Sequence, residues 1–183
     1  QYREASAKLF ARFAAVARDN PLATRRKGYS AEQIAEVNAE NPFVGFPYTK
    51  LMTASAFVDQ SAAFIVVSEA RADELGIPQD KRVYLHGEAH AHDTWFVSDR
   101  ERLDQSPAMR LTSRAALAQA GKTIADVDVF DIYSCFPSVV QIACKELGIS
   151  PDDKRGLTVT GGLPYFGGPG NNYVTHAIAE MVQ

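Results

Sequence analysis

The stretch Leu157–His176, LTVTGGLPYFGGPGNNYVTH, concentrates the residues whose types and spacing could do chemistry. Leu157–Thr160 alternates apolar and hydroxyl residues, as a short strand does. Gly161-Gly162 stops it, and Pro164, Gly167, Gly168, Pro169 and Gly170 follow. Asn171-Asn172 then offers a helix N-cap ahead of the periodic apolar residues Tyr173, Val174, Ala177, Ile178 and Met181. Strand, tight loop and helix in that order can aim backbone N–H groups and a helix N-terminus at one spot, which suits an oxyanion or a thioester oxygen. Gly161, Gly162, Gly167 and Gly168 are therefore candidate binding residues. A Gly/Pro-rich connection without a ligand fits the same pattern. No Gly-Lys-Ser/Thr follows, which excludes a phosphate-cradling P-loop.

Three further groups carry candidate chemistry. Cys135 follows Tyr133-Ser134 at an expected strand-to-helix turn, where a helix N-terminus lowers a thiol pKa; inert packing is the alternative. His92 and Asp93 are adjacent and form either part of a polar site or a loop pair satisfied by backbone. Tyr84, His86, Glu88, His90 and His92 recur at period two and would share one face of a strand. No cysteine or further carboxylate pattern completes a shell, so no metal ligand is assigned. Tyr48 and Lys50 lie two apart in a segment rich in proline and aromatic residues, where either could face a site.

The elements that must position these groups read as follows. An amphipathic helix spans Gln1–Asn20, with Leu9, Phe10, Phe13, Val16 and Ala17 as its stripe and Pro21 as its end. Thr24-Arg25-Arg26-Lys27 is a basic run, read as a solvated loop or a contact for cofactor phosphates. Ser30–Val37 is a short helix with a Ser30/Gln33 capping box. Asn41–Thr53 should be an irregular packed loop. Ala62–Val67 is an apolar run of strand length, as in a strand buried on both faces. A helix over Glu69–Leu75 closed by Gly76, a strand over Arg82–His90, a helix from Ser106-Pro107 to Gly121, a strand over Ala125–Tyr133 and a helix carrying Val139, Val140, Ala143 and Leu147 follow. Leu111, Ala115 and Ala118 mark the expected buried stripe of the Ser106 helix. Alternating strands and helices predict a layered α/β domain with a mostly parallel sheet.

The 183 residues suffice for one large domain. A net charge of −3 gives no electrostatic case for nucleic acid, and no apolar run approaches the roughly 20 residues of a membrane span. The two cysteines, Cys135 and Cys144, are no disulfide framework, so a reducing, cytoplasmic setting is expected. The chain opens on Gln1, as a fragment or processed product does.

Three blocks, in order, resemble the C-terminal half of the thiolase superfamily. Thr53–Ala63, TASAFVDQSAA, is similar to the family's Asn-Ala-Ser-Gly-Ile-Asn-Asp-Gly-Ala-Ala-Ala. Tyr133-Ser134-Cys135-Phe136 falls where thiolases carry Asn-Glu-Ala-Phe. Gly161-Gly162 and Gly167-Gly168-Pro169 fall on their Gly-Gly and Gly-His-Pro. The wording is most similar to the sterol-carrier-protein-thiolase branch. The resemblance implies a thiolase-like layered fold, present as its C-terminal half: residues 1–52 as part of the inserted loop or cap region, and residues 53–183 as the C-terminal-type α/β domain without its final strands. It implies acyl-CoA as substrate or ligand with no further cofactor, the N-terminal half of the fold as partner, and a homodimer or hetero-oligomer.

Departures from the family pattern shape the functional expectation. The Gly-His-Pro histidine, which helps form an oxyanion hole and activates the nucleophile, is Gly168 here. The asparagine that holds a catalytic water is Tyr133. Neither Cys135 nor Cys144 aligns with the family's two catalytic cysteines. Losing one oxyanion donor costs about 10²–10³ in rate, so ordinary thiolysis is not expected. The resemblance leaves an enzyme acting on C–C bonds or acyl groups of acyl-CoA thioesters, with Tyr133, Cys135, His92 and Asp93 as catalytic candidates and Gly161, Gly162, Gly167, Gly168, Ser55 and Tyr48 lining the substrate. Its alternatives are an aldolase-type lyase using Tyr133 and a non-catalytic acyl-CoA-binding or scaffold subunit.

Overall fold

The computed structural model describes residues 1–183. Helix α1 (Tyr2–Asp19) lies at the centre of the molecule. Its residues Ala7, Leu9, Phe10, Phe13, Ala14 and Ala17 are buried. They share one hydrophobic cluster with Ile34, Met52, Ile132, Val140, Leu157, Leu163 and Tyr165. The first 52 residues thus contribute to the same core as the rest. Asn20 ends the helix in an extended conformation, ahead of Pro21.

Helix punctuation acts as the sequence dictates. In α2 (Ala31–Ala35), Ser30 and Gln33 close a reciprocal capping box. Ser68 caps α3 (Glu69–Glu74) by accepting from the Arg71 amide. Ser106 caps α4 (Pro107–Gln119), with Pro107 in its first turn. Pro137 opens α5 (Pro137–Leu147), and Gly148 ends it in the left-handed conformation at φ 70°. Helix α6 covers Tyr173–Val182. The expected stripe of α4 is corrected: Leu111 is 61% exposed, whereas Met109 of the helix and Ile124 just beyond it pack against the core. The helix contacts α5.

The strand expectations differ more. The only sheet is a two-stranded antiparallel hairpin, β1 (Phe43–Gly45) and β2 (Tyr48–Thr49), within the segment expected to be irregular. Phe46-Pro47 makes its turn. Residues 62–67, 82–90, 125–133 and 157–160 enter no ladder. Isolated backbone bonds join some of them, from the Ile132 amide to the Leu157 carbonyl (2.9 Å) and from the Ala54 amide to the Cys135 carbonyl (3.1 Å). The run 62–67 is not buried on both faces within this chain: Ile65 is 90% and Val66 75% exposed. A strand forms only against a neighbouring strand that takes its N–H and C=O groups, and this run has no such strand within the chain.

Candidate functional site

The glycine-rich stretch is the buried centre of the structure, and hydroxyl side chains set its shape. Asp131 Oδ2 accepts from Thr158 Oγ1 (2.9 Å) and from the amide of Val159 (3.0 Å). Its Oδ1 accepts from the Tyr173 hydroxyl (3.0 Å). With Tyr173 donating there, the Thr160 hydroxyl donates to Tyr173 (2.7 Å). The Gly161 amide donates to Thr158 Oγ1 (3.0 Å) and the Gly162 amide to Thr160 Oγ1 (3.1 Å). The Leu163 amide donates to Ser134 Oγ (3.1 Å). Burial raises the Asp131 carboxyl above its ordinary value, outweighing the donors that lower it. Tyr173 is raised as well, first by burial and then by the Asp131 charge.

This network corrects the expectation of an open cradle of amides. The Tyr165 and Phe166 amides donate to the Gly162 carbonyl and the Gly168 amide to the Ser55 carbonyl (2.8 Å). Between Gly161 and Gly168, the Gly167 amide alone has no acceptor within the chain. All four candidate glycines are buried. Within the basic run, Arg25 is committed to the loop: its Nη1 donates to the Pro164 carbonyl (3.2 Å) and its amide to the Tyr165 carbonyl (2.9 Å).

Residues 54–62 run across the loop and are stitched to it. The Ser55 amide donates to the Leu163 carbonyl (3.0 Å). Gln60 Nε2 donates to the carbonyls of Leu22 and Phe166, both at 3.1 Å. Asn172, the residue preceding α6, does not cap that helix. Its side chain pairs with Ala62 as a strand would, accepting from the amide (2.8 Å) and donating to the carbonyl (3.1 Å). Replacing Asn172 by alanine removes both bonds, at a net cost of about 1–2 kcal/mol. Faster amide hydrogen exchange at Ala62, with α1 unaffected, is the expected signature; unchanged exchange would show that the pairing does not hold the segment.

Tyr133 and Cys135 sit beside this network at the entrance to α5. The Tyr133 ring is 41% exposed and meets Tyr173 edge-on at 5.7 Å between centroids. Its pKa is raised, by burial and then by Cys135. The Cys135 thiol is raised as well, because burial outweighs its backbone hydrogen bonds, and the expected activation at the helix N-terminus does not prevail. Cys144, within α5, is pushed up to about 11, chiefly by burial. Both thiols are free and held in the protonated form at neutral pH. Tyr48 packs on Phe136 (5.5 Å), next to Cys135, and its hydroxyl meets that of Tyr2 at 2.9 Å. Tyr133, Cys135 and the glycine loop are thus brought together, and Tyr48 joins that end of the molecule through Phe136.

His92 and Asp93 are not brought to Tyr133. Asp93 accepts from the Ser106 hydroxyl (2.5 Å) and the Ala108 amide (3.0 Å) at the start of α4. Burial raises its carboxyl, but these two donors prevail and the net shift is downward. The Ser106 amide in turn donates to buried Glu146 (2.9 Å). Glu146 lies nine residues along α5 from Pro137, about 14 Å at 1.5 Å per residue. The two candidate groups therefore occupy opposite ends of α5. The row His86, Glu88, His90, His92 is not on a strand, and no three potential ligands converge. Sequence reading assigned no role in shaping the loop to Asp131, Ser134 or Gln60, since no local motif ties them to a loop more than 25 residues away, and it gave Asn172 a capping role it does not play.

Comparison with known proteins bears on this arrangement. Residues 89–172 match the family model described as "Thiolase C-terminal domain-like". A probable acetyl-CoA acetyltransferase of Mycolicibacterium smegmatis is 30% identical over 135 residues, covering 72% of this chain and 32% of that protein. A 3-ketoacyl-CoA thiolase of Cronobacter sakazakii is 29% identical over 117 residues, covering 64% of this chain and 28% of that protein. The crystal structure of a monomeric SCP2-thiolase-like protein type 1 from Mycobacterium smegmatis superposes with a TM-score of 0.87 at 41% identity, over 99% of this chain and 40% of that one. The chain spans about a third of the curated relatives it matches.

Proposed function

Since this chain belongs to the thiolase superfamily and matches the C-terminal half of its members, we propose that it is the C-terminal portion of a thiolase-like enzyme that makes or breaks C–C bonds, or transfers acyl groups, on acyl-CoA thioesters. The remainder of that fold would supply the neighbours that residues 62–67 and 82–90 lack. Those segments would then become strands of a mostly parallel sheet between helices. The N-terminal half, or a second copy in a dimer, would cover Phe64, Ile65 and Val66. In that frame residues 1–52 are the end of the inserted loop region and residues 53–183 the C-terminal-type domain. Two free cysteines suit a reducing cytoplasm, and no helix is long and apolar enough to cross a membrane.

The observation that carries the reading is the site at the start of α5. Gly168 stands where thiolases have their histidine, and its amide is bonded to Ser55. Ordinary thiolysis lacks its activating group. Tyr133 instead offers a half-buried phenol beside the loop. A raised pKa keeps it protonated at neutral pH, so it can donate a hydrogen bond to a thioester oxygen or return a proton to an enolate. It does not suit the role of base. Cys135, equally protonated, would face the acyl-CoA with Tyr48 and Ser55. This favours an aldol-type lyase that needs no acyl-enzyme as the second reading, and an acyl-CoA-binding subunit without turnover as the third.

Tyr133→Phe removes one hydroxyl and leaves the ring packing on Tyr173. Its expected effect on acyl-CoA turnover is a fall of about 10²-fold or more, with acyl-CoA affinity preserved. Unchanged turnover would sink the role of Tyr133. Tight acyl-CoA binding with no turnover in either protein would establish the binding subunit.

A further inference from the structure

His90 and His92 stand apart from the site above. Their Nε2 atoms lie 3.0 Å apart, with the rings nearly perpendicular at 87° and centroids 4.6 Å apart. Both side chains are exposed. Two neutral imidazoles that face each other through Nε2 can share one proton; a metal ion between them would use both lone pairs. With metal–nitrogen bonds of about 2.0–2.1 Å, two ligands at right angles lie about 2.9 Å apart and two tetrahedral ligands about 3.3 Å apart. The observed separation falls between these, nearer the right angle. His92 also lines a polar cavity of about 310 Å³ that has no hydrophobic residue in its wall and includes Asp99 and Glu101. Arg102 there is paired with Asp104 (2.9 Å) and Arg100 with the Thr94 carbonyl (2.9 Å).

We propose that His90 and His92 form a bidentate site for a divalent transition-metal ion that accepts imidazoles at right angles. Cu²⁺ binds such a pair most tightly and Ni²⁺ less so. No third His, Cys, Asp or Glu joins the pair, so water from the adjoining cavity completes the shell. The site is independent of the acyl-CoA reading, because it lies at the far end of α5 from Tyr133.

Trp95, the chain's single tryptophan, reports on it directly, with its ring 5.7 Å from that of His92. Titration of the full chain with Cu²⁺ in a non-chelating buffer should quench Trp95 fluorescence saturably at one equivalent. His90→Ala and His92→Ala should each weaken binding by more than about tenfold, the scale that even outer-shell changes reach at metal sites. His86→Ala should leave it unchanged. Excess EDTA should strip the ion and restore the fluorescence. The proposal is overturned if quenching does not saturate, if EDTA fails to reverse it, or if either histidine variant binds as tightly as the parent. Far-UV circular dichroism of each variant separates loss of the ligand from loss of the fold.

Discussion

Gly161→Ala should cost about 3 kcal/mol or more, combining core overpacking with a strained backbone. A Cβ at this position would stand 2.4 Å from the Ala17 Cβ, 2.6 Å from its Cα and 2.7 Å from its nitrogen. Two of these atoms belong to the backbone of α1, which cannot yield without moving the central helix. The residue also holds φ +108°, where a side chain is disfavoured. Gly162 is under similar constraint, at φ +77° with Phe13 and Ser134 within 2.6 Å of the same notional atom. Gly168 is different: its nearest neighbours would lie at 3.4–3.5 Å, an ordinary contact. Gly168→Ala should therefore change stability by less than about 1 kcal/mol. Urea midpoints for the two variants provide the check. Equal losses would mean that Gly161 is not the point where loop and helix meet.

That contrast bears on function. The Gly-Gly pair permits close approach of the loop to α1, a structural task that also fixes where Gly167 and Gly168 lie. A Cβ at Gly168 would meet no close obstacle, so the local fold accommodates a side-chain stem there.

The sequence reveals helices and family far better than sheet and site. Ser30, Ser106, Pro107, Pro137 and Gly148 act through their nearest neighbours, so capping, initiation and termination can be read locally. A strand is not local. The apolar run 62–67 specifies that something must cover it, but its partner is a matter of the rest of the fold. The β1–β2 hairpin was hidden because Gly45 and Pro47 read as breakers, whereas they border its turn. At the site, the spacing of the glycines announced a tight loop. Two of its amides, of Gly161 and Gly162, go to the neighbouring Thr158 and Thr160 hydroxyls, while those of Leu163 and Gly168 depend on Ser134 and Ser55, which reach the loop from distant segments. A pattern of glycines cannot show whether amides are free or already bonded.

Asp131 offers the second large effect, and it joins stability to the proposed chemistry. Asp131→Ala strips the acceptor from Thr158, Val159 and Tyr173 together. Each buried donor left without a partner costs about 1–3 kcal/mol. These costs overlap within one network, so a total loss of about 3 kcal/mol is expected from denaturant unfolding. Asp131→Asn keeps the shape and one acceptor oxygen and should lose less. The pH dependence separates charge from shape. Burial raises the folded-state carboxyl above its ordinary value of 3.8, so the folded protein binds that proton more tightly than the unfolded chain does. The stability this group contributes is complete below 3.8 and is lost as pH rises through the folded value. Parent and Asp131→Asn stabilities should therefore change relative to each other over that window, the parent losing ground as pH rises. A parent that gains on the variant instead would mean that the hydrogen bonds outweigh burial and the carboxylate is held in its charged form. Asp131 lies two residues before Tyr133 and holds the hydroxyl of Tyr173, whose ring meets Tyr133 edge-on. Asp131→Ala should therefore release the ring that positions the proposed acid, and lower whatever acyl-CoA turnover the proposed function predicts for the complete protein.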